Sequence, residues 1–237
     1  MPRILAIANP RPGSGKTTTT ARLGQALVEL GHTVLLVDLV PSADLTRALG
    51  VDPASLDHSV HSLLRAGLAD LPRMTRRLRE RFFLLPASPL LRDAAPAGAG
   101  TTLPLDRLRL ALRAYPIPFD FVLIDTPSSL GVLTLNALAA SSGVLVPAPC
   151  LPPVLPGIGE LVDQVLQVKQ QLNAEVSILG FLATRLDAAS PTSLDALTEL
   201  REALPNRLLP WVLDEGMGPA TAETFHQIAI GLDGLRF

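Results

Sequence analysis

The stretch Ile4 to Thr20, reading ILAIANPRPGSGKTTTT, limits what this chain can fold into more than any other. A short apolar run, Ile4 to Ala8, ends in a Pro/Gly loop. That loop closes on Gly13-Ser14-Gly15-Lys16-Thr17, and a helical pattern follows at once. Strand, glycine loop and helix in that order make a phosphate cradle. The loop's backbone N–H groups and the helix N-terminus converge on negative oxygens, and a lysine adds full charge. Thr17 offers its hydroxyl to a Mg2+ ion, which in such sites sits between the β- and γ-phosphates. The ordinary pattern, G-x-x-x-x-G-K-[ST], has glycine where this chain has Pro10. The plain rival is a Gly-rich turn with an incidental lysine. The strand before and the helix after favour the cradle.

The chain's 237 residues, 48% hydrophobic and 18% charged, supply the core of one large α/β domain or two small ones. Mean hydropathy is high at +0.35, yet no window holds about 18 consecutive apolar residues, so no membrane span is expected. The longest apolar stretch, Val144 to Ile158, is broken by Pro147, Pro149, Pro152, Pro153 and Pro156. The N-terminus enters a strand directly, without a signal-peptide layout. Cys150 is the sole cysteine, which rules out an internal disulfide, fits a reducing cytoplasm and argues against an iron–sulfur cluster. Its apolar surroundings read as those of a small buried hydrophobe. A net charge of −2 does not advertise a nucleic-acid binder.

Along the chain, a helix is expected from Lys16 to Leu30, with Ala21, Leu23, Leu27, Val28 and Leu30 as its buried stripe. Thr33 to Asp38 is a continuous apolar strand ending in an aspartate, as in a sheet covered on both faces. Pro41, Ser42 and Asp44 then form a turn leading a short helix to Leu49. Leu56 to Arg81 reads as helical in two pieces broken near Pro72. Its second piece turns Leu71, Met74, Leu78 and Phe82 one way, while Arg73, Arg76, Arg77, Arg79 and Arg81 decorate the rest. A strand over Phe82 to Pro86, a surface loop over Pro89 to Thr102 and a helix over Leu103 to Tyr115 follow. FVLID, Phe121 to Asp125, is again an apolar strand ending in an aspartate. Further strands are expected at Gly143 to Pro147, Ile178 to Thr184 and Leu208 to Val212. Helices are expected at Leu155 to Leu172, Thr192 to Leu204 and Ala220 to Ile230.

This alternation predicts one domain over 1–237: a doubly wound, mostly parallel α/β sheet with helices on both faces, of P-loop NTPase type. Ligands of such sheets bind at the carboxyl ends of strands, where the loop, Asp38 and Asp125 all fall. Either aspartate alone reads as an ordinary strand-end turn residue. In order behind the loop, both become candidate carboxylates for a magnesium shell.

The stretches ANPRPGSGKTTTTARLGQAL, VLLVDLVPSADLT, FDFVLIDTPSSLGVLTLNALAASSGVLVPAPC and ILGFLATRLD resemble the ParA/MinD family of deviant Walker ATPases, the ParA partitioning side most closely. The similarity weakens from about Asp57 to Pro118 and again after Pro210. It implies ATP and Mg2+ as cofactors, a face-to-face dimer around two nucleotides, non-specific DNA binding by that dimer, and a ParB-like partner that stimulates hydrolysis. Carried over by position, Pro12, Gly13, Ser14, Gly15, Lys16, Thr17 and Thr18 would surround the phosphates. Lys16 would hold the β/γ oxygens, Thr17 would ligate Mg2+, and Asp38 and Asp125 would hold its water shell.

Two departures fall on the chemistry. The family motif K-G-G-x-G-K-T begins with a lysine that reaches the other subunit's nucleotide. Here that residue is Arg11, followed by Pro12. Arginine keeps the charge and would serve as a trans finger, although its planar fork is not a point charge; the plain alternative is a solvated loop residue. Pro12 fixes φ near about −65° and removes one N–H. The second departure is larger. The family's water-orienting aspartate in D-x-D-P is Val40, and the following glutamine is Ser42. Valine cannot accept a hydrogen bond from water, and losing such a group costs about 10²–10⁴ in rate. The resemblance therefore implies tight ATP binding with slow turnover.

The family's basic segment near the last strand is replaced by Pro210-Trp211-Val212-Leu213-Asp214-Glu215. Arg185, Arg201 and Arg207 remain as candidate DNA contacts, beside the arginine-rich Arg73 to Arg81, which as a helix would ordinarily be a solvated face. A MinD-like membrane switch needs a basic amphipathic C-terminal helix, and the ending IAIGLDGLRF is too short and too poor in cations. An ATP-locked scaffold dimer that does not cycle is the other alternative. A metabolic enzyme of the dethiobiotin synthetase or cobyrinate amidase kind shares the loop, but VLLVD and DTPSSLG fit ParA better. These readings place the protein in the cytoplasm, on the nucleoid if it binds DNA.

Overall fold

Three apolar runs form the middle of the sheet because both faces of each are covered. They are β1 (Arg3–Ile7), β2 (Val34–Asp38) and, further along, FVLID at Phe121–Asp125. The structure, a computed structural model, describes residues 2–66, 71–94, 103–114, 118–216 and 219–234. Between β1 and β2 lies α1 (Lys16–Glu29). After β2 come α2 (Asp44–Ala48), α3 (Val60–Ala66), α4 (Leu71–Met74), β3 (Arg76–Arg79), β4 (Phe82–Leu85), α5 (Leu91–Ala94) and α6 (Arg107–Ala114). The chain continues through β5 (Phe121–Asp125), α7 (Val132–Ala140), β6 (Gly143–Pro149), α8 (Ile158–Gln171), β7 (Ser177–Leu186), α9 (Pro191–Ala203), β8 (Leu208–Asp214) and α10 (Pro219–Gly234).

The eight strands are ordered β3-β4-β2-β5-β1-β6-β7-β8. All pairs are parallel except β3–β4. This is the doubly wound sheet expected from the strand–helix alternation. Successive side chains on the central strands point to opposite layers. Leu5, Ile7, Val34, Leu36, Phe121 and Leu123 join Leu23 and Leu27 of α1 and Phe225 and Ile228 of α10. Ala6, Leu35, Val37, Val122 and Ile124 instead meet helices α3, α6, α7 and α8. Each fully buried leucine contributes about 1.5–3 kcal/mol relative to exposure, so both helical layers are firmly attached. The chain leaves β1 toward β2 on one side, and later reaches β6 on the other. That reversal opens a crevice at the carboxyl end of β1. Register sets Asp125 beside Ile7 on one flank and beside Asp38 on the other.

One expectation is overturned. The arginine-rich segment is not a helix to Arg81. It leaves α4 at Met74 and becomes β3, which returns antiparallel into β4 through the two-residue turn Glu80-Arg81, with Arg81 at φ 59. Arginine and leucine suit a helix, but the open edge of β4 offers a ladder of hydrogen bonds that a helix would leave unmade. The four apolar residues expected on one face are consequently divided. Leu71 and Met74 enter one layer, while Leu78 and Phe82 enter the other. The expected loop over Pro89 to Thr102 contains α5, and residues 95–102 lie outside the described residues, as does Tyr115 at the end of the expected α6.

Candidate functional site

The loop after β1 is built by its own side chains as well as its glycines. Asn9 is buried; its Oδ1 accepts from the Arg11 N–H at 2.8 Å, and its Nδ2 donates to the Pro147 carbonyl at 2.7 Å. Gly13 and Gly15 take φ 68 and 90, the left-handed region where a side chain is strained. Gly15 immediately precedes α1. Thr184 Oγ1 at the end of β7 donates to the Ser14 carbonyl at 2.9 Å, and Thr126 Oγ1 after β5 donates to the Ile7 carbonyl at 2.8 Å. The cradle is thus tied to the strands on both sides. Pro10, the departure from the usual pattern, lies against Gly157 at the start of α8; a Cβ there would come within 2.5 Å of the proline Cγ.

A cavity of about 670 Å³ opens over this loop. Pro12, Gly13, Ser14, Gly15, Lys16, Thr17 and Thr18 all line it. Lys16 is buried, and its Nζ donates to Ser128 Oγ at 2.7 Å, the Arg11 carbonyl at 3.1 Å and Ser14 Oγ at 3.3 Å. Burial lowers its pKa from 10.5 to about 8, against the opposing pull of Asp125. An ammonium held among neutral oxygens is a charge waiting for an anion. Thr17 Oγ1 donates to Asp125 Oδ2 at 2.7 Å.

Asp125 is completely buried, and its Oδ1 has no hydrogen-bond partner. Burial, then the neighbouring Asp38 charge, holds its pKa well above the ordinary value. An orphaned carboxylate oxygen beside a threonine hydroxyl is the donor set a hard cation takes, so Thr17 and Asp125 fit magnesium. Asp38 is adjacent but differently employed. Its Oδ1 accepts from the Val40 N–H at 2.9 Å; its Oδ2 accepts from the Thr46 N–H at 2.9 Å and Thr46 Oγ1 at 2.7 Å. It braces the loop from Val40 to Thr46, and burial raises its pKa.

Val40 lines the cavity with Ser42 and Asp44, and its side chain offers no hydrogen-bond acceptor there. Ser42 Oγ donates to Asp44 Oδ2 at 2.5 Å. Arg11 points its guanidinium at its own chain: Nη1 donates to the Leu151 and Pro153 carbonyls at 2.7 and 2.6 Å. A trans role requires exchanging those carbonyls for a partner's phosphate.

The three arginines considered for DNA do not converge. Arg185 lines the cavity, donating to the Gly13 carbonyl at 3.2 Å and pairing with Glu215 at 2.6 Å. Arg201 and Arg207 lie near the opposite end of the sheet, on α9 and the turn before β8, where Arg207 borders a largely apolar cavity with Lys169. Sequence reasoning missed Ser128 and the far wall of the cavity, formed by Leu213, Asp214, Glu215, Thr221 and Phe225. Ser128 sits two residues after Thr126 in DTPSS, a signal available in the sequence. The far wall comes from β8 and α10, distant in the chain and carrying no motif.

Comparison with known proteins agrees with this geometry. A family profile described as an AAA domain matches residues 2–178. Sporulation initiation inhibitor protein Soj of Bacillus subtilis is 34% identical, over 90% of this chain and 84% of its own length. Chromosome-partitioning ATPase Soj of Thermus thermophilus is 36% identical, over 94% of this chain and 85% of its own. Among solved structures, cobyrinic acid a,c-diamide synthase from Mycobacterium smegmatis, with bound ADP and magnesium, superposes with a TM-score of 0.90. It is 36% identical, covering 98% of this chain and 94% of that one. The chain belongs to the ParA/MinD family of P-loop ATPases.

Proposed function

We propose that the protein binds ATP with Mg2+ in the cavity over the first loop, dimerises on that nucleotide, and serves as a slow ParA-type switch in DNA partitioning or positioning. One observation carries the reading: a buried Lys16 ammonium held only by neutral oxygens, beside a Thr17–Asp125 pair that has a spare buried oxygen. Lys16 and the loop N–H groups hold the phosphates. Thr17 and Asp125 hold the ion, with Asp38 bracing the loop behind them. When bound, the ion neutralises charge between the terminal phosphates.

Slow turnover follows from Val40. It lines the cavity and has no acceptor for an attacking water. The named relatives support partitioning. The chromosome-partitioning Soj of T. thermophilus is called an ATPase, and the M. smegmatis protein holds ADP and magnesium. A ParB-like partner would then raise the rate, and Arg11, released from the Leu151 and Pro153 carbonyls, would complete the partner subunit's site. An ATP-locked scaffold differs only in never cycling.

The M. smegmatis protein's name raises amidation as a rival. Amide-nitrogen transfer from glutamine ordinarily needs an accessible thiolate. The sole cysteine, Cys150, is buried, and burial lifts its thiol to about 11, so this chain supplies no such nucleophile.

Solution mass with and without MgATP, paired with phosphate release on the same sample, tests the proposal. Doubling of mass with slow release supports the switch. A monomer under both conditions contradicts it, and a dimer that never releases phosphate favours the scaffold.

A further inference from the structure

Helices α8 and α9 both pack on β7 and scarcely touch each other. A cavity of about 380 Å³ is lined by α8, β7 and the turn that follows α9. That volume falls within the range of small-molecule sites, about 300–1,000 Å³. Its apolar lining comes mainly from Val162, Val165 and Leu166 of α8, Ile178 and Phe181 of β7, and Leu204. Leu166 is 50% exposed at its border. Close-packed interiors leave few voids larger than a water molecule, so an apolar hollow of this size is not ordinary slack. Only two charged residues line it, Lys169 and Arg207, and both are cations. Neither side chain makes a hydrogen bond or ion pair among the described residues. Lys169 stands in the last turn of α8, where a cation complements the helix dipole. That account does not extend to Arg207, which lies beyond the end of α9 in the turn before β8.

We propose that this cavity binds a small amphipathic carboxylate, an apolar chain or ring carrying a single anionic head. The body covers the apolar lining and releases water from it. The head meets Lys169 and Arg207, an ammonium and a guanidinium that both form charge-assisted hydrogen bonds to carboxylate oxygens. A neutral apolar ligand would leave both cations unmet, and a cationic one would be repelled. A protein partner is disfavoured by what surrounds the hollow. Asp163, Gln167 and Gln170 are exposed on α8, and Glu202 is exposed at the end of α9. An apolar helix laid across this face would bury those polar groups, and an acidic one would meet their carboxylates as well as the cations. A small anion reaches the two cations alone. The cavity shares no residue with the one over the first loop, so the inference does not rest on the ATP reading.

The test is calorimetric titration of the full-length protein with decanoate below its micelle threshold, beside 1-decanol and decylammonium. Decanoate should bind saturably, one per chain, at least about tenfold tighter than either of the other two. Lys169→Gln/Arg207→Gln should weaken decanoate at least about tenfold and abolish its advantage over decanol. Leu166→Glu places a like charge at the border of the cavity and should weaken decanoate to a similar degree. All three substitutions fall at exposed positions, thermal melts check the fold, and either variant carries the test if the other does not fold. No saturable decanoate binding by wild type overturns the proposal. So does equal affinity for the three ligands, unchanged affinity in the double variant, or association with anionic vesicles without binding of free decanoate. MgATP titrated into the same samples reports on the nucleotide reading separately.

Discussion

Thr17 Oγ1 and Asp125 Oδ2 stand 2.7 Å apart, joining the first turn of α1 to the end of β5. The other oxygen of that carboxylate is buried without a partner. Burying it costs stability that a bound cation would offset. Binding and folding are therefore coupled at this one pair.

Asp125→Asn tests the coupling. Asp125 has a folded pKa well above 3.8, raised first by burial and then by Asp38. Its contribution to stability is fully present below the unfolded value and is lost as pH rises through the folded one. Thermal melts of the nucleotide-free protein should show wild type losing stability on that rise and the asparagine variant losing less. In calorimetry the variant should lose the magnesium-dependent part of ATP affinity, about tenfold or more.

Lys16 gives the opposite sign. Its pKa is lowered by burial from 10.5 to about 8. Between those values the unfolded chain holds a proton that the folded one has lost, so this group adds stability to the nucleotide-free protein as pH rises through that window. Affinity for ATP should fall over the same window, by up to about tenfold per pH unit, with proton uptake on binding. Calorimetry in buffers of different ionisation enthalpy checks both. Lys16→Met should remove the effect along with most of the affinity.

Val40→Asp restores an acceptor to the cavity wall without disturbing the backbone, since Val40 contributes its N–H to Asp38 and its carbonyl to Ala43. Steady-state phosphate release should rise about 10²-fold or more, with ATP affinity little changed.

Gly157→Ala tests how the loop is held from outside. Gly157 has φ 80, and its absent Cβ makes room for the Pro10 ring. An alanine meets both a disfavoured backbone and a rigid ring, and should cost about 1–3 kcal/mol in denaturant melts. Because Pro10 belongs to the cradle, ATP affinity should fall as well.

The central strands, α1 and the cradle were legible because each is local: an apolar run, a glycine loop and a periodic stripe within one stretch of chain. Asp38 and Asp125 were legible as strand ends, but the sequence could not divide their labour. Asp38 is occupied by Thr46, eight residues on, whereas Asp125 keeps a free oxygen, and only packing decides that. The same limit hid Arg11's hold on Leu151 and Pro153 and Arg185's tie to Gly13 and Glu215. The Arg76–Arg79 strand escaped for another reason. Its composition suits a helix, and the edge of β4 that recruits it lies beyond a turn whose residues, Glu80 and Arg81, are not turn formers.

The most direct test identifies the nucleotide that stays with the protein. Purified wild type is incubated with MgATP, freed of unbound nucleotide, and its bound fraction separated by chromatography. One nucleotide per chain, present mainly as intact ATP, is the predicted result. A protein that retains no nucleotide, or that holds only ADP within minutes, would contradict it.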